Sequence, residues 1–252
     1  MSRPPTDLTP YHNQLVTIQD EFRKHFGWEV SDDLSSASNL IAAIEQSGIE
    51  EWRRPNRAAT VANIQRRLVL RNQKVAILGA AIDIEELTIA LDSPTLLIAA
   101  DGAAGAISLL PETTAERAWS RLAFIVTDAD GGDGTIEAVR RGKTTFLHAH
   151  GDNESDWKNL LNIAKAAATP PPLVLTHQTP GEISGMHNPG GFTDGDRAAC
   201  IAVSLGIPIE RITMLGTNTK EVGRWSGKTE KNRKLVKLQW MGRILQTLGL
   251  EY

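Results

Sequence analysis

The stretch Leu122-Ala-Phe-Ile-Val-Thr-Asp-Ala-Asp-Gly131 sets the fold: five apolar residues run without a break, then the chain turns polar and closes on glycine. Five residues is strand length. A run that is apolar throughout, rather than at every second position, fits a strand covered on both faces. Runs of the same kind lie on either side of it, Val75-Ala-Ile-Leu78 and Leu96-Leu-Ile-Ala99 before, Thr144-Thr-Phe-Leu147, Leu173-Val-Leu175 and Ile212-Thr-Met-Leu215 after. Segments of helix length separate them, at 83–92, 133–141, 153–168 and 194–205. Parallel neighbours need crossover connections, so this alternation predicts an α/β fold: a mostly parallel, doubly wound sheet of about six strands, Rossmann-like in kind. Ala168-Thr-Pro-Pro-Pro172 reads as a stiff approach to a strand.

The first 72 residues read differently. Three helical stretches, roughly 12–26, 36–46 and 57–70, carry apolar residues at helical spacing, as in Leu40, Ile41 and Ile44. The division expected is an N-terminal helical region over 1–72 and an α/β catalytic domain over 73–252 that ends in a basic helix. The N-terminal region shows no recognisable chemistry and is expected to pack or to act as a lid.

Composition narrows the class. Of 252 residues, 41% are hydrophobic and 23% charged, which suits a globular chain and excludes a disordered one. No apolar run approaches the roughly 20 residues that span a bilayer, and Met1-Ser-Arg-Pro-Pro-Thr-Asp lacks the apolar core of a signal peptide. Cys200 is the only cysteine, so an intrachain disulfide is excluded and a thiolate zinc site disfavoured. A cytoplasmic protein is expected, with no membrane partner; the oligomeric state, a homo-oligomer included, stays open. The net charge of −3 gives no support for a nucleic-acid partner. Charge is unevenly spread, however: ten acids stand against five bases from Asp101 to Asp156, and eight bases against two acids from Lys220 to Arg243. Metal on carboxylates facing cations on a polyphosphate would use such an arrangement, and so would a simple solvated basic helix.

Each candidate strand ends in glycine or polar groups: Gly79-Ala-Ala, Ala100-Asp101-Gly102-Ala103, Thr127-Asp128-Ala-Asp130-Gly, His148-Ala-His150-Gly-Asp152-Asn153, Thr176-His-Gln178 and Gly216-Thr-Asn218. In a parallel sheet these ends share one edge, outside which ligands bind. Asp128 and Asp130 would point to one side if strand geometry persists, and carboxylates so close ionise together only beside a cation, for which Mg²⁺ is the natural choice. A helix-capping turn, with Asp133 as N-cap, is the alternative. His148 and His150 read as contacts to phosphate or a heterocycle, or as a zinc pair. Asp152 and Asp156 lie one helical turn apart, facing the site or offsetting a helix dipole. Asn188-Pro-Gly-Gly-Phe-Thr-Asp194-Gly-Asp196-Arg197 is a glycine-rich loop entering a helix. One of its aspartates suits the N–H edge of a neutral heterocycle, and Arg197 suits phosphate.

Together, Ala100-Asp-Gly-Ala, Val126-Thr-Asp-Ala-Asp-Gly, His148-Ala-His-Gly-Asp-Asn, Thr176-His-Gln and Gly190-Gly-Phe-Thr-Asp-Gly-Asp-Arg resemble the archaeal-type 6-hydroxymethyl-7,8-dihydropterin diphosphokinases, which have a thiamine-diphosphokinase-like core. Lys234-Leu-Val-Lys237-Leu resembles them more weakly, and the match covers roughly 74–240. The first loop departs from the family, reading Gly79-Ala-Ala-Ile-Asp where a Gly-Pro-Ser-like turn is usual. The resemblance implies transfer of the β,γ-diphosphoryl unit of ATP to a reduced pterin, with release of AMP, on the route to a tetrahydromethanopterin- or folate-type cofactor. It implies Mg²⁺ on Asp128, Asp130 and Asp152, assisted by Asp156. Gly79, Asp101, Gly102, Thr127, His148, Asn153, Gln178, Arg197, Lys234 and Lys237 would contact ATP or the pterin. Asp194, Asp196 and His150 remain alternatives for the group that takes the hydroxymethyl proton. The rival readings are a thiamine diphosphokinase, a metal-dependent hydrolase and a non-catalytic nucleotide-binding accessory protein.

Overall fold

In the computed structural model, which describes residues 7–227 and 230–252, the apolar runs become six strands: β1 (Val75–Leu78), β2 (Leu96–Ala100), β3 (Leu122–Thr127), β4 (Thr145–Ala149), β5 (Leu173–His177) and β6 (Ile212–Leu215). They form one all-parallel sheet in the order β5-β4-β3-β2-β1-β6. The doubly wound α/β reading is borne out. The helices are α1 (Gln14–Phe26), α2 (Val30–Glu45), α3 (Arg54–Gln65), α4 (Ile84–Leu91), α5 (Glu112–Arg121), α6 (Gly132–Arg140), α7 (Glu154–Ala166), α8 (Asp194–Ser204) and α9 (Lys231–Leu248).

Strand order explains the layers. From β1 to β5 the chain steps one strand at a time in a single direction, so right-handed crossovers put α4 to α7 on one face. The step from β5 to β6 runs back across the sheet and puts α8 on the other. Alternate strand residues accordingly split between two cores. Val75, Ile77, Ile98, Phe124, Phe146 and Val174 join α8 and α9, while Ala76, Leu78, Leu97, Ile125, Leu147 and Leu175 join α4 to α7. The N-terminal helices share these cores. Leu15, Ile18, Phe22, Val61 and Ile64 belong to the first, and Leu40, Ile44 and Trp52 to the second. Trp52 also donates its indole N–H to the carbonyl of Pro171 in the Pro-rich approach to β5, at 2.8 Å.

Two elements depart from expectation. α2 begins at Val30, six residues earlier than its apolar pattern, because Asp32 and Asp33 sit favourably in the first turn while Ser31, Ser35 and Ser36 dilute the periodicity. The segment after β2 is a 3-10 stretch, Asp101–Leu109, followed by α5. The sequence reading named neither, since the buried face of α5 consists of only Ala115, Ala118 and Trp119. None of the described helices is long and apolar enough to cross a membrane.

The loops after β1 and β6 leave toward opposite faces, which creates the crevice at the strand ends. They are stitched together there: the Gly79 N–H donates to Leu215 O and the Ala81 N–H to Gly216 O, both at 2.8 Å. A Cβ on Gly216, whose φ is 58°, would overlap the Ile82 backbone, so only glycine allows this approach.

Candidate active site

At the crevice, β2 and β3 deliver three carboxylates to one point. Asp101, Asp128 and Asp130 each present an oxygen within 4.8 Å of the others. Strand geometry does not persist beyond Thr127. Ala129 has φ 81° and Asp101 φ 49°, left-handed conformations that cost about 1–3 kcal/mol each in a non-glycine residue. The turn is held by the Thr127 hydroxyl, which donates to Asp101 Oδ1 (2.5 Å) and accepts from the Ala129 N–H (2.8 Å). Thr135 donates to the same Asp101 oxygen at 3.1 Å. Gly131 must be glycine, because a Cβ there would collide with the Asp101 carboxylate. Burial, compounded by the charges of Asp128 and Asp130, pushes the Asp101 carboxyl well up. Asp130 is raised too, by burial and by Asp128. Crowded acids of this kind repel unless a proton or a cation stands between them, and an all-oxygen donor set suits Mg²⁺.

His150 joins this cluster to the end of β4. Its Nε2 meets Asp128 Oδ2 at 3.2 Å and its Nδ1 meets Asp152 Oδ1 at 3.0 Å. Burial alone would depress the imidazole, but the two carboxylates outweigh it and push its pKa up to about 9. The same bonds take Asp152 down to about 2 and, against the effect of burial, hold Asp128 well below the usual carboxylate range. Asp128 and Asp152 thus favour the protonated form of His150 in the cleft.

The facing wall is α9. Arg233, Lys234, Lys237, Leu238 and Met241 line a cavity of about 370 Å³ together with Gly79, Asp101, Asp128, Asp130, His150, Asp152, Asp156, Asp194 and the 216–227 segment. Burial and the neighbouring Lys234 lower Lys237. Its ammonium stands 5.4 Å from the ring of Trp28 and 5.8 Å from that of Phe192, and Arg233 lies 5.5 Å from Trp28. An N-terminal aromatic side chain thus steadies two cavity cations.

The chain is similar to three curated archaeal proteins named 6-hydroxymethyl-7,8-dihydropterin pyrophosphokinase. It is 32% identical over 171 residues to the curated protein of that name from Methanothermobacter thermautotrophicus, covering 63% of this chain and 65% of the relative. It is 32% identical over 159 residues to that of Pyrococcus furiosus, covering 61% and 60%. Over 197 residues it is 26% identical to that of Methanocaldococcus jannaschii, covering 73% and 70%. The chain thus spans less than two thirds of the length of the first two relatives. No family model matches it. The resemblance drawn from the motifs is borne out.

Of the residues singled out from sequence, Gly79, Asp101, Asp128, Asp130, His150, Asp152, Asn153, Asp156, Asp194, Lys234 and Lys237 line the one cavity. The acid cluster itself contains Asp101 in place of Asp152 and Asp156: Asp152 is turned outward onto His150, with its side chain 85% exposed, and Asp156 lies outside the triad. Others are spent on the scaffold. Asp196 is fully buried, and its carboxylate accepts from Phe192 N (2.6 Å), Thr193 N (2.8 Å) and Thr193 Oγ1 (2.5 Å), closing a capping box at the start of α8. Arg197 is 1% exposed, donates to the Phe192 carbonyl at 2.9 Å and is not among the residues that line the cavity. Asn153, although it lines the cavity, stitches two loops, donating to Asp128 O and His148 O at 2.8 Å each and accepting from the His150 N–H at 3.0 Å. His148 is buried against Thr176 at 3.0 Å, Thr127 is buried in its turn, and Gly102 is squeezed between Gly131 O and Trp225 O.

Gln178 belongs to a network that sequence reading missed. Its side-chain amide donates to both oxygens of Asp33 at 3.0 Å, and its backbone carbonyl accepts from Arg23 at 2.7 Å. Asp33 also pairs with Arg23 (3.2 Å) and accepts the Gly151 N–H (2.8 Å). Helices α1 and α2 thereby hold the His150–Asp152 turn in place. The only sequence signal was a pair of charged residues on otherwise amphipathic helices.

Proposed function

We propose that the chain is an ATP-dependent diphosphotransferase acting on 6-hydroxymethyl-7,8-dihydropterin. The single observation that carries this reading is one cavity in which Asp101, Asp128 and Asp130 face Lys234 and Lys237, in a chain related to proteins of that name. Such transfer is mostly positioning and charge neutralisation. Asp101, Asp128 and Asp130 would hold Mg²⁺, which when bound offsets the charge of the polyphosphate. Lys234, Lys237 and Arg233 meet the phosphate oxygens from α9, and protonated His150 adds a donor from the sheet side. The pterin hydroxymethyl oxygen attacks the β-phosphorus, the bond from that phosphorus to the α–β bridging oxygen breaks, and AMP leaves. The hydroxymethyl proton passes to a base. Asp194 is the carboxylate best placed for this: it lines the cavity, and burial with Asp128 and Asp101 nearby raises it well above an ordinary aspartate, toward the basicity a general base needs. His150 is already protonated, and Asp196 is locked in its cap. The product, a pterin diphosphate, would enter a reduced-pterin cofactor of the tetrahydromethanopterin or folate type, and a cytoplasmic setting fits both substrates.

Incubation with ATP, Mg²⁺ and either hydroxymethyl-dihydropterin or thiamine tests the reading. AMP formed in step with pterin diphosphate is the expected outcome, and chelation should abolish it. ADP instead of AMP would mean attack at the γ-phosphorus and would overturn the assignment. AMP formed only with thiamine would transfer it to the other diphosphokinase.

A further inference from the structure

A second hollow, of about 540 Å³, lies beside the acid cluster between α6 and α7. It shares four wall residues with the main cavity: Asp130, Asp156, Ser226 and Gly227. Its floor is apolar, made by the half-buried Ile136 and Ile163 and the buried Leu160. Asp156 and Asn159 stand three residues apart on α7, which puts them on the same helix face along this floor. Neither side chain makes a hydrogen bond to another described residue. An apolar floor with an unused carboxylate and amide at one side is the usual form of a small-molecule site.

The hollow's place beside the acids selects its occupant. A diphosphotransferase brings two ring systems to one phosphorus. Adenine is separated from that phosphorus by ribose and the α-phosphate, whereas the pterin is separated by a single carbon. The second hollow adjoins the acid cluster through Asp130 alone, which suits the occupant with the shorter arm. The chemistry agrees: the 2-amino-4-oxo edge of a pterin offers two N–H donors and then a carbonyl acceptor. A carboxylate followed by an amide NH₂ complements that order, whereas adenine would set a ring nitrogen acceptor against the carboxylate.

Building on the diphosphokinase reading, we propose that this second cavity is the pterin site, with Asp156 and Asn159 gripping the 2-amino-4-oxo edge. Ile136, Leu160 and Ile163 lie under the ring, and the hydroxymethyl arm reaches past Asp130 to the main cavity, which takes ATP.

The test compares Asn159→Leu and Ile163→Trp with the unchanged protein; both positions are at least partly exposed, and circular dichroism checks the fold. Binding is followed by fluorescence for 6-hydroxymethylpterin, and separately for a non-hydrolysable ATP analogue with Mg²⁺. Each variant should weaken pterin binding about tenfold or more, as expected for a lost hydrogen bond or a filled ring site, and leave the ATP analogue within about twofold. Weakened ATP-analogue binding with pterin binding intact would place adenine here and overturn the proposal. Unchanged binding of both ligands would also overturn it, while AMP formation by the unchanged protein still upheld the activity. An unchanged protein that bound the ATP analogue but no pterin would overturn the site and the activity together.

Discussion

Two Asp-x-Asp pairs enter helices at the same edge of the sheet and meet different fates. Asp128 and Asp130 follow β3, and both turn into the cleft, where with Asp101 they form the acid cluster. Asp194 and Asp196 open α8, and only Asp194 lines the cavity, while Asp196 is sealed into a capping box. The difference comes from position relative to the helix start. In the second pair, Asp196 is the N3 residue and Thr193 the N-cap, so two loop N–H groups and a hydroxyl claim its carboxylate. In the first pair the capping donors are absent: only Asp130 N approaches Asp128, at 3.4 Å, and His150 takes the other side. A carboxylate that accepts three short hydrogen bonds inside a closed cap is held away from the cleft.

The largest effect expected from this difference is at Asp128. Asp128→Asn removes a charge from the acid cluster at nearly constant volume and weakens the tie to His150. It should therefore lower kcat by about 100-fold or more, with circular dichroism unchanged. Near-normal turnover in a folded variant would return the first pair to a capping role and erase its distinction from the second.

The second pair should separate stability from turnover. Asp196→Asn replaces a carboxylate that accepts three hydrogen bonds with an amide that sets N–H against N–H, at a cost of about 1–3 kcal/mol. That corresponds to a fall in Tm of roughly 3–10 °C for a chain of this size. The folded fraction should turn over within about threefold of normal, given a role in the cap alone. Asp194→Asn should do the reverse, cutting kcat while leaving metal-free Tm unchanged or slightly higher, since burial already disfavours its charge. If Asp196→Asn lost turnover without losing Tm, the sealed carboxylate would have to open in the working enzyme.

The smallest effect extends the contrast to histidines. His150 faces the cleft, whereas His177 and His187 are buried in scaffold hydrogen bonds to Thr179 and Leu8. Burial, with the nearby charge of the other histidine for His177, lowers His177 to about 4. For His187, burial with nearby Arg57 outweighs the pull of Asp7 and likewise gives about 4. A depressed histidine means that the unfolded chain binds more protons between pH 4 and 6.5. The stability these groups leave intact above about pH 6.5 is therefore lost as pH falls toward 4. Tm measured from pH 7 to pH 5 should fall, and His187→Gln should make that slope shallower by roughly a third if it shares it equally with His177 and His148, which burial also holds well below its usual value. An unchanged slope would assign the acid sensitivity elsewhere.

Much of the fold could be read locally. Apolar runs such as Leu122–Val126 bury both faces, the helical spacing of Leu40, Ile41 and Ile44 buries one, and polar or glycine endings mark where each strand leaves the sheet. These are properties of neighbouring residues, so strand order aside, the α/β architecture and its functional edge followed from them. The gathering of acids at that edge was legible for the same reason, because a parallel sheet brings all its strand ends to one side, whereas Lys234 and Lys237 of α9 were signalled only by the basic C-terminal segment and the family resemblance. α5 was not, because three small or isolated apolar residues make too faint a stripe.

What the sequence determined by itself was therefore which residues reach the rim: Asp101, Asp128, Asp130 and His150 lie beside strand ends whose apolar runs are local, and Asp194 opens the helix that follows a glycine-rich loop. The tertiary structure alone decided which of them remain free to act. Asp196, Asn153 and Gln178 carry the same donors and acceptors as cleft residues, but theirs are satisfied by partners, some close in the chain and others more than a hundred residues away, such as Asp33 for Gln178. Hydrogen-bonding capacity is finite and burial makes an unmet group costly. A polar side chain is assigned to scaffold or to site by whatever the folded chain places within about 3 Å of it, and that distance is not written in sequence spacing.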